Sequence, residues 1–226
     1  MTQLPFEQFP ALSATGICRH AFTQRIPGID VSHDKGEVLK RLDAAHREIR
    51  KAIDMGDWPL FTAQQIHGNK VAVIDSRGDG LVGREFPGCD GFITNQREIV
   101  LGIYVADCCA VYIVDPKTPA IGLVHSGRKG TELGVVANAI KQMIDRFGSD
   151  PANMIVQLSP CIYPPHYEVD FAAEVVRQCR ELGVKEIHDS GVCTGCDLAR
   201  YYSYRAEKGK TGRMLALIGL DPTSAN

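Results

Sequence analysis

Residues 99–126 read IVLGIYVADCCAVYIVDPKTPAIGLVHS, and the punctuation of this stretch decides the fold. Three runs, Ile99 to Val105, Val111 to Val114 and Ile121 to Val124, are rich in β-branched residues and apolar enough to be strands buried on both faces. Only short turns separate them, Asp115-Pro116-Lys117-Thr118-Pro119 being the clearest. A parallel pair needs a crossover of a dozen or more residues, so the three are predicted to run antiparallel to one another. The fold class that follows is α+β, a mixed β-sheet layered with helices rather than a pure βαβ winding.

Working outward, three segments carry the helical period. Glu37 to Asp54 places Val38, Leu42, Ala45, Ile49 and Ile53 on one face, with Ser32 or Asp34 able to cap its start and Gly56 following its end. Thr131 to Phe147 presents Leu133, Val136, Ala137, Ile140, Met143, Ile144 and Phe147 before Gly148, and Phe171 to Leu182 ends at Gly183 in the same way. Further strands are expected at Val71 to Ile74, Met154 to Leu158 and Met214 to Ile218. With no repeat, low-complexity tract or linker, residues 1–226 are expected to form one domain.

Composition bounds the function. A net charge of −2 supplies no excess that would favour nucleic acid or an anionic membrane surface. No run reaches the roughly 20 apolar residues of a membrane helix, and MTQLPFEQFP lacks the basic and apolar regions of a secretory signal, so a cytoplasmic location is expected. Eight cysteines in 226 residues are too sparse for a disulfide scaffold. Cys18, Cys89, Cys161 and Cys179 read as small buried hydrophobes.

The chemistry-bearing residues lie where predicted strands end. His67 stands in Gln64-Gln65-Ile66-His67-Gly68, Cys108 in Ala106-Asp107-Cys108-Cys109, and His125 in Val124-His125-Ser126-Gly127. Two imidazoles and a thiolate suit zinc, with a fourth position left for water or substrate. Their separations of 41 and 17 residues match no short metal motif, and a turn histidine or a core cysteine would read the same way. A thiol nucleophile at Cys108 with His125 as its base uses the same residues. Cys193-Thr194-Gly195-Cys196 is a single CxxC without the second pair of a zinc ribbon and reads as a loop. Gly127-Arg128-Lys129-Gly130-Thr131, just before a helix start, is either an anion-docking turn or a solvated basic one; Arg205 and Arg213 are equally open between anion binding and ordinary ion pairing.

These segments occur in an order that carries a resemblance. Gln65-Ile66-His67-Gly68, Cys89-Asp90-Gly91-Phe92-Ile93-Thr94, Ala106-Asp107-Cys108, Val124-His125-Ser126-Gly127, Leu158-Ser159-Pro160-Cys161-Ile162, Tyr167-Glu168-Val169 and Tyr202-Ser203-Tyr204-Arg205 with Thr211-Gly212-Arg213 together resemble the YfiH family. That family is also called the polyphenol oxidoreductase laccase or DUF152 family, and its members are largely described as purine nucleoside phosphorylases. The resemblance runs from about His20 to Leu220. It implies a fold of the YfiH type, distantly similar in site layout to bacterial toxin deamidases, and zinc held by His67, Cys108 and His125. It further implies phosphorolysis of adenosine, inosine, guanosine or methylthioadenosine, with adenosine deamination also attributed to the family. An older attribution of copper-dependent phenol oxidation ranks low, because the seven histidines show no HxH pairing.

Three departures bear on substrate choice: the usual HAGWRG reads His125-Ser126-Gly127-Arg128-Lys129-Gly130, SYRR becomes Ser203-Tyr204-Arg205-Ala206, and ADCxP becomes Ala106-Asp107-Cys108-Cys109-Ala110. The expected substrate-binding set is Gln65, Arg128, Lys129 and Arg205, with Arg205 as the phosphate clamp. The competing readings are an amide hydrolase editing peptidoglycan precursors and a zinc-binding module without turnover.

Overall fold

The computed structural model describes residues 4–75 and 85–222. The elements follow in the order β1 (Phe6–Glu7), α1 (Pro10–Ser13), β2 (Cys18–Thr23), α2 (Lys35–Ala52), β3 (Leu60–Gln64), β4 (Val71–Val73), β5 (Glu85–Pro87), β6 (Gly91–Thr94), β7 (Val100–Val105), β8 (Cys109–Asp115), β9 (Ala120–Ser126), α3 (Arg128–Glu132), α4 (Val135–Phe147), β10 (Ile155–Leu158), α5 (Phe171–Glu181), β11 (Glu186–Asp189) and β12 (Met214–Leu220). They build two mixed sheets, ordered β1-β2-β12-β7-β3-β5 and β11-β10-β8-β9-β6-β4. The α+β class read from the sequence is the one observed.

The two faces of β8 show how the layers are assembled. Ala110, Tyr112 and Val114 point into a core shared with Phe22, Ile103 and Leu217 of the first sheet. Cys109, Val111 and Ile113 point the other way, onto Val136, Ile140 and Met143 of α4 and Val175 of α5. All seven residues of β8 are buried, which is why the strand is apolar without alternation. Helix α2 contributes Val38, Leu42 and Ile49 to the first core, and Asp34 caps it by accepting the Glu37 amide at 3.1 Å. No helix among the described residues is long and apolar enough to cross a membrane.

One predicted pairing is corrected. The β8–β9 hairpin is antiparallel as expected, with Asp115 opposite Ala120, but β7 lies in the other sheet, between β12 and β3. The connection 106–108 is a crossing between sheets, and Asp107 turns it with a left-handed φ of 80°. The helix expected over 131–147 is likewise divided into α3 and α4 by Gly134 at φ 71°, and Leu133 at that break is 47% exposed rather than part of the buried stripe. Cys89, Cys161 and Cys179 are buried as expected, whereas Cys18 is only half-buried.

Candidate metal centre

The site forms where three chain breaks meet. His67 follows β3 in a turn with φ 59°, Cys108 sits on the crossing between the sheets, and His125 is next to last in β9. Left-handed backbone at His67 and Asp107 costs of order 1–3 kcal/mol each and persists only where surrounding bonds over-determine it. At His67 those bonds come from Asp90, whose buried carboxylate accepts the amides of His67 at 2.8 Å, Gly68 at 2.7 Å and Ile66 at 3.3 Å. At Asp107 they come from Thr194, whose hydroxyl donates at 2.7 Å, and from the amides of Arg205 at 2.7 Å and Ile162 at 2.8 Å.

Asp90 also orients the third member. Its Oδ1 lies 2.8 Å from His125 Nδ1, so His125 Nε2 is the nitrogen left for a ligand, the arrangement in which a carboxylate fixes a metal-binding histidine. Cys108 Sγ is 3.8 Å from His67 Nε2, the two imidazoles stand edge-on with centroids 4.8 Å apart, and one donor atom from each of His67, Cys108 and His125 lies within 4.8 Å of the others. Gly127 makes room for this: a Cβ there would sit 2.6 Å from Cys108 Sγ.

Burial acts to raise the Cys108 thiol, but the imidazoles of His125 and His67 outweigh it and bring it down to about 6. Burial likewise opposes protonated His125, yet Cys108 and Asp90 bring that group up to about 9. Asp90 itself is held below its ordinary value, burial being overcome by the bonds from His125 and Gly68. Thiolate facing imidazolium, with a carboxylate behind, is a donor set that a divalent cation can occupy by displacing one proton. The residues present fit a zinc ion.

The three donors open into a cavity of about 610 Å³. Its walls carry Lys35, Arg128, Arg205 and Arg213 together with Tyr104, Tyr167, Phe171 and Tyr204. Among the described residues, Lys35 and Arg213 face this cavity without a carboxylate at ion-pair distance, Glu85 and Asp107 acting on them only from farther off; Arg213 Nη1 donates to the carbonyls of Thr211 and Gly212 at 3.0 and 2.8 Å. Arg205 is instead paired with Glu168 at 2.6 Å and stacked over Tyr167 at 5.1 Å, and Arg128 bonds Glu132 at 3.0 Å and approaches Glu168 at 3.6 Å. Gln65 lines the cavity, but its amide is taken up by the main chain of Tyr104, donating at 2.7 Å and accepting at 3.1 Å. Lys129 is exposed on a shallower depression that shares His67, Cys108 and Arg128 with the main one.

The residues that the sequence did not single out are instructive. Asp90 was visible only as part of Cys89-Asp90-Gly91, with nothing to reveal that it faces both histidines. Lys35 has no local signal, because it reaches the site as the first residue of α2, far from the strand ends.

With this geometry in view, comparison with known proteins gives a consistent picture. The family model described as multi-copper polyphenol oxidoreductase laccase matches residues 14–179 and 169–221, and the chain belongs to that family. Curated relatives include the purine nucleoside phosphorylase YlmD of Bacillus subtilis, 26% identical with 91% of this chain and 85% of the relative covered. A purine nucleoside phosphorylase of Corynebacterium glutamicum is 31% identical, with 89% and 94% covered. The crystal structure of the Bacillus licheniformis hypothetical protein YfiH superposes with a TM-score of 0.80 over 97% of this chain and 98% of that one, at 22% identity, which establishes the shared fold.

Proposed function

We propose that this chain is a purine nucleoside phosphorylase whose zinc is held by His67, Cys108 and His125, working in the cytoplasm. The observation that carries the reading is that the metal donor set and two cations, Lys35 and Arg213, which make no ion pair among the described residues, line the same cavity. Phosphorolysis needs an oxyanion positioned against the anomeric carbon of a ribose while the departing base gains negative charge. Lys35 and Arg213 hold that oxyanion; burial and the neighbouring Arg213 charge depress Lys35 against the opposing effect of Glu85, and a bound phosphate offsets the repulsion between the two cations. Arg205, paired with Glu168, serves as a wall rather than as the principal clamp. The faces of Tyr167, Phe171 and Tyr204 suit a purine ring, and the guanidinium of Arg213 lies 5.6 Å from the Tyr204 centroid, which fixes its plane. Zinc at this centre supplies Lewis acidity and an open position for an oxygen ligand. The same centre supports adenosine deamination, which releases ammonia and needs no phosphate.

A second reading is favoured by one specific feature, the row Cys108–His125–Asp90 with its lowered thiol. In that reading Cys108 attacks an amide carbonyl, His125 carries the proton to the leaving group and Asp90 holds the imidazole. The two are separated by assaying zinc-loaded and metal-free protein with adenosine, inosine and methylthioadenosine, each with and without phosphate, and with a peptidoglycan-precursor peptide as the amide substrate, against His67→Asn, which tolerates the left-handed backbone. Phosphate-dependent release of free base that disappears in the variant supports phosphorolysis at this centre. No base release, with amide cleavage surviving in metal-free protein, supports the thiol reading.

A further inference from the structure

A second cluster of metal-binding side chains lies outside the cavity. The turn Cys193-Thr194-Gly195-Cys196 is covered by the imidazole of His166, whose Nδ1 is 3.8 Å from Cys193 Sγ and 3.4 Å from Cys196 Sγ. The three donor atoms lie within 4.8 Å of one another. Zinc–sulfur bonds of about 2.3 Å and zinc–nitrogen bonds of about 2.0–2.1 Å in a tetrahedron separate sulfur from nitrogen ligands by roughly 3.6 Å, close to both distances found here. Neither thiol is in a disulfide, Cys196 and His166 are exposed, and none of the three lines the cavity of the first centre.

The cluster is built independently of any ion. Thr194 N donates to Cys161 O at 2.9 Å and Cys196 N to Cys193 O at 3.1 Å, which shapes the turn so that both sulfurs face one side. His166 is brought over it by a turn in which its amide donates to Tyr163 O at 3.0 Å. Gly195 lets the ring close down: a Cβ there would stand 3.1 Å from His166 Cγ and 3.2 Å from its Cβ. In sequence the CxxC has no second pair, and the third donor comes from a histidine 27 residues upstream of Cys193.

We propose that His166, Cys193 and Cys196 form a second site for a thiophilic divalent cation such as zinc, its remaining position open to water. This site does not depend on the phosphorolysis reading. The ion ties together the two segments that carry Tyr167 and Arg205 of the cavity wall. Thr194, between the two cysteines, reaches Asp107 beside Cys108, so the tie ends one residue from the first centre.

The test uses full-length protein purified without oxygen. Cys108→Ser removes the thiolate of the first centre, and Cys196→Ser, at an exposed position, is added in that background. Each is dialysed against zinc or cobalt(II), and bound metal, thiolate-to-cobalt absorption and melting temperature are measured. Cys108→Ser is expected to keep one cation per chain, a strong thiolate band and a zinc-dependent rise in melting temperature. Adding Cys196→Ser should weaken the band, since only the Cys193 thiolate is left to supply it, and weaken binding on the order of 100-fold. A Cys108→Ser protein that binds no cation, a band and affinity unchanged by Cys196→Ser, or a Cys193–Cys196 disulfide in the oxygen-free preparation would each overturn the proposal.

Discussion

At the scale of single residues, the first centre depends on one carboxylate and one missing side chain. The Asp90 carboxylate accepts from three consecutive amides and faces His125 Nδ1, so every one of the carboxylate's partners is a donor. Asp90→Asn turns an amide group toward those donors, and we expect a loss of about 2–4 kcal/mol in urea unfolding. Zinc affinity should fall about 10–100-fold in competition with a chelator, because His125 loses the partner that fixes its tautomer. An Asn variant with unchanged zinc affinity would show that Asp90 serves the fold alone. Gly127→Ala tests the space instead of the charge. Its new methyl group would lie 2.6 Å from Cys108 Sγ, so the thiol must move. Turnover is expected to drop on the order of 100-fold, as for other displacements of about 1 Å. Zinc content measured alongside tells whether the loss comes through the metal.

At the scale of elements, α2 carries a residue that pattern reading had no reason to notice. Its stripe Val38, Leu42 and Ile49 is buried as expected, but so is His46, whose ring lies 5.9 Å from that of Tyr104 on β7. Among the described residues neither nitrogen of His46 has a hydrogen-bond partner, and burial pulls its pKa down to about 4 from 6.5. His20 on β2 is similarly brought down to about 4, because burial outweighs the effect of the Phe9 amide that donates to its Nε2 at 2.7 Å. The sign follows from linkage: the unfolded chain protonates these groups first, so their contribution is complete above pH 6.5 and is lost as pH falls toward 4. At pH 5 each group accounts for about 2 kcal/mol. His46→Leu should therefore lose less stability than the parent between pH 7 and pH 5, measured by urea midpoints at both. Equal losses would mean that His46 is protonated or hydrated in the folded protein.

At the scale of the whole molecule, function depends on how two sheets are held face to face, since the first centre collects residues from both. One direct link is Tyr112 of β8, whose buried hydroxyl donates to Ala21 O of β2 at 2.9 Å. Tyr112→Phe is expected to cost about 1 kcal/mol in unfolding while leaving turnover unchanged, because Tyr112 is not among the cavity walls. A change in turnover without a change in stability would show that sheet spacing controls the site directly. The sequence by itself determined the α+β class, the β8–β9 hairpin, the buried face of α2 and part of that of α4, the presence of α5, and three separate residues able to bind a metal, because period, turn chemistry and donor type are local properties. It pointed to one mixed sheet where the molecule has two. Burial on both faces of a strand leaves the same apolar run whichever sheet it joins, so the crossing at Asp107 read as an ordinary turn. Only the tertiary structure brought Cys108 to two histidines 41 residues before it and 17 after it, placed Asp90 behind them and Lys35 before them, and set His166 over the Cys193–Cys196 turn. Those meetings are set by how strand ends from different sheets converge at one edge of the core, and nothing in the spacing along the chain records that convergence.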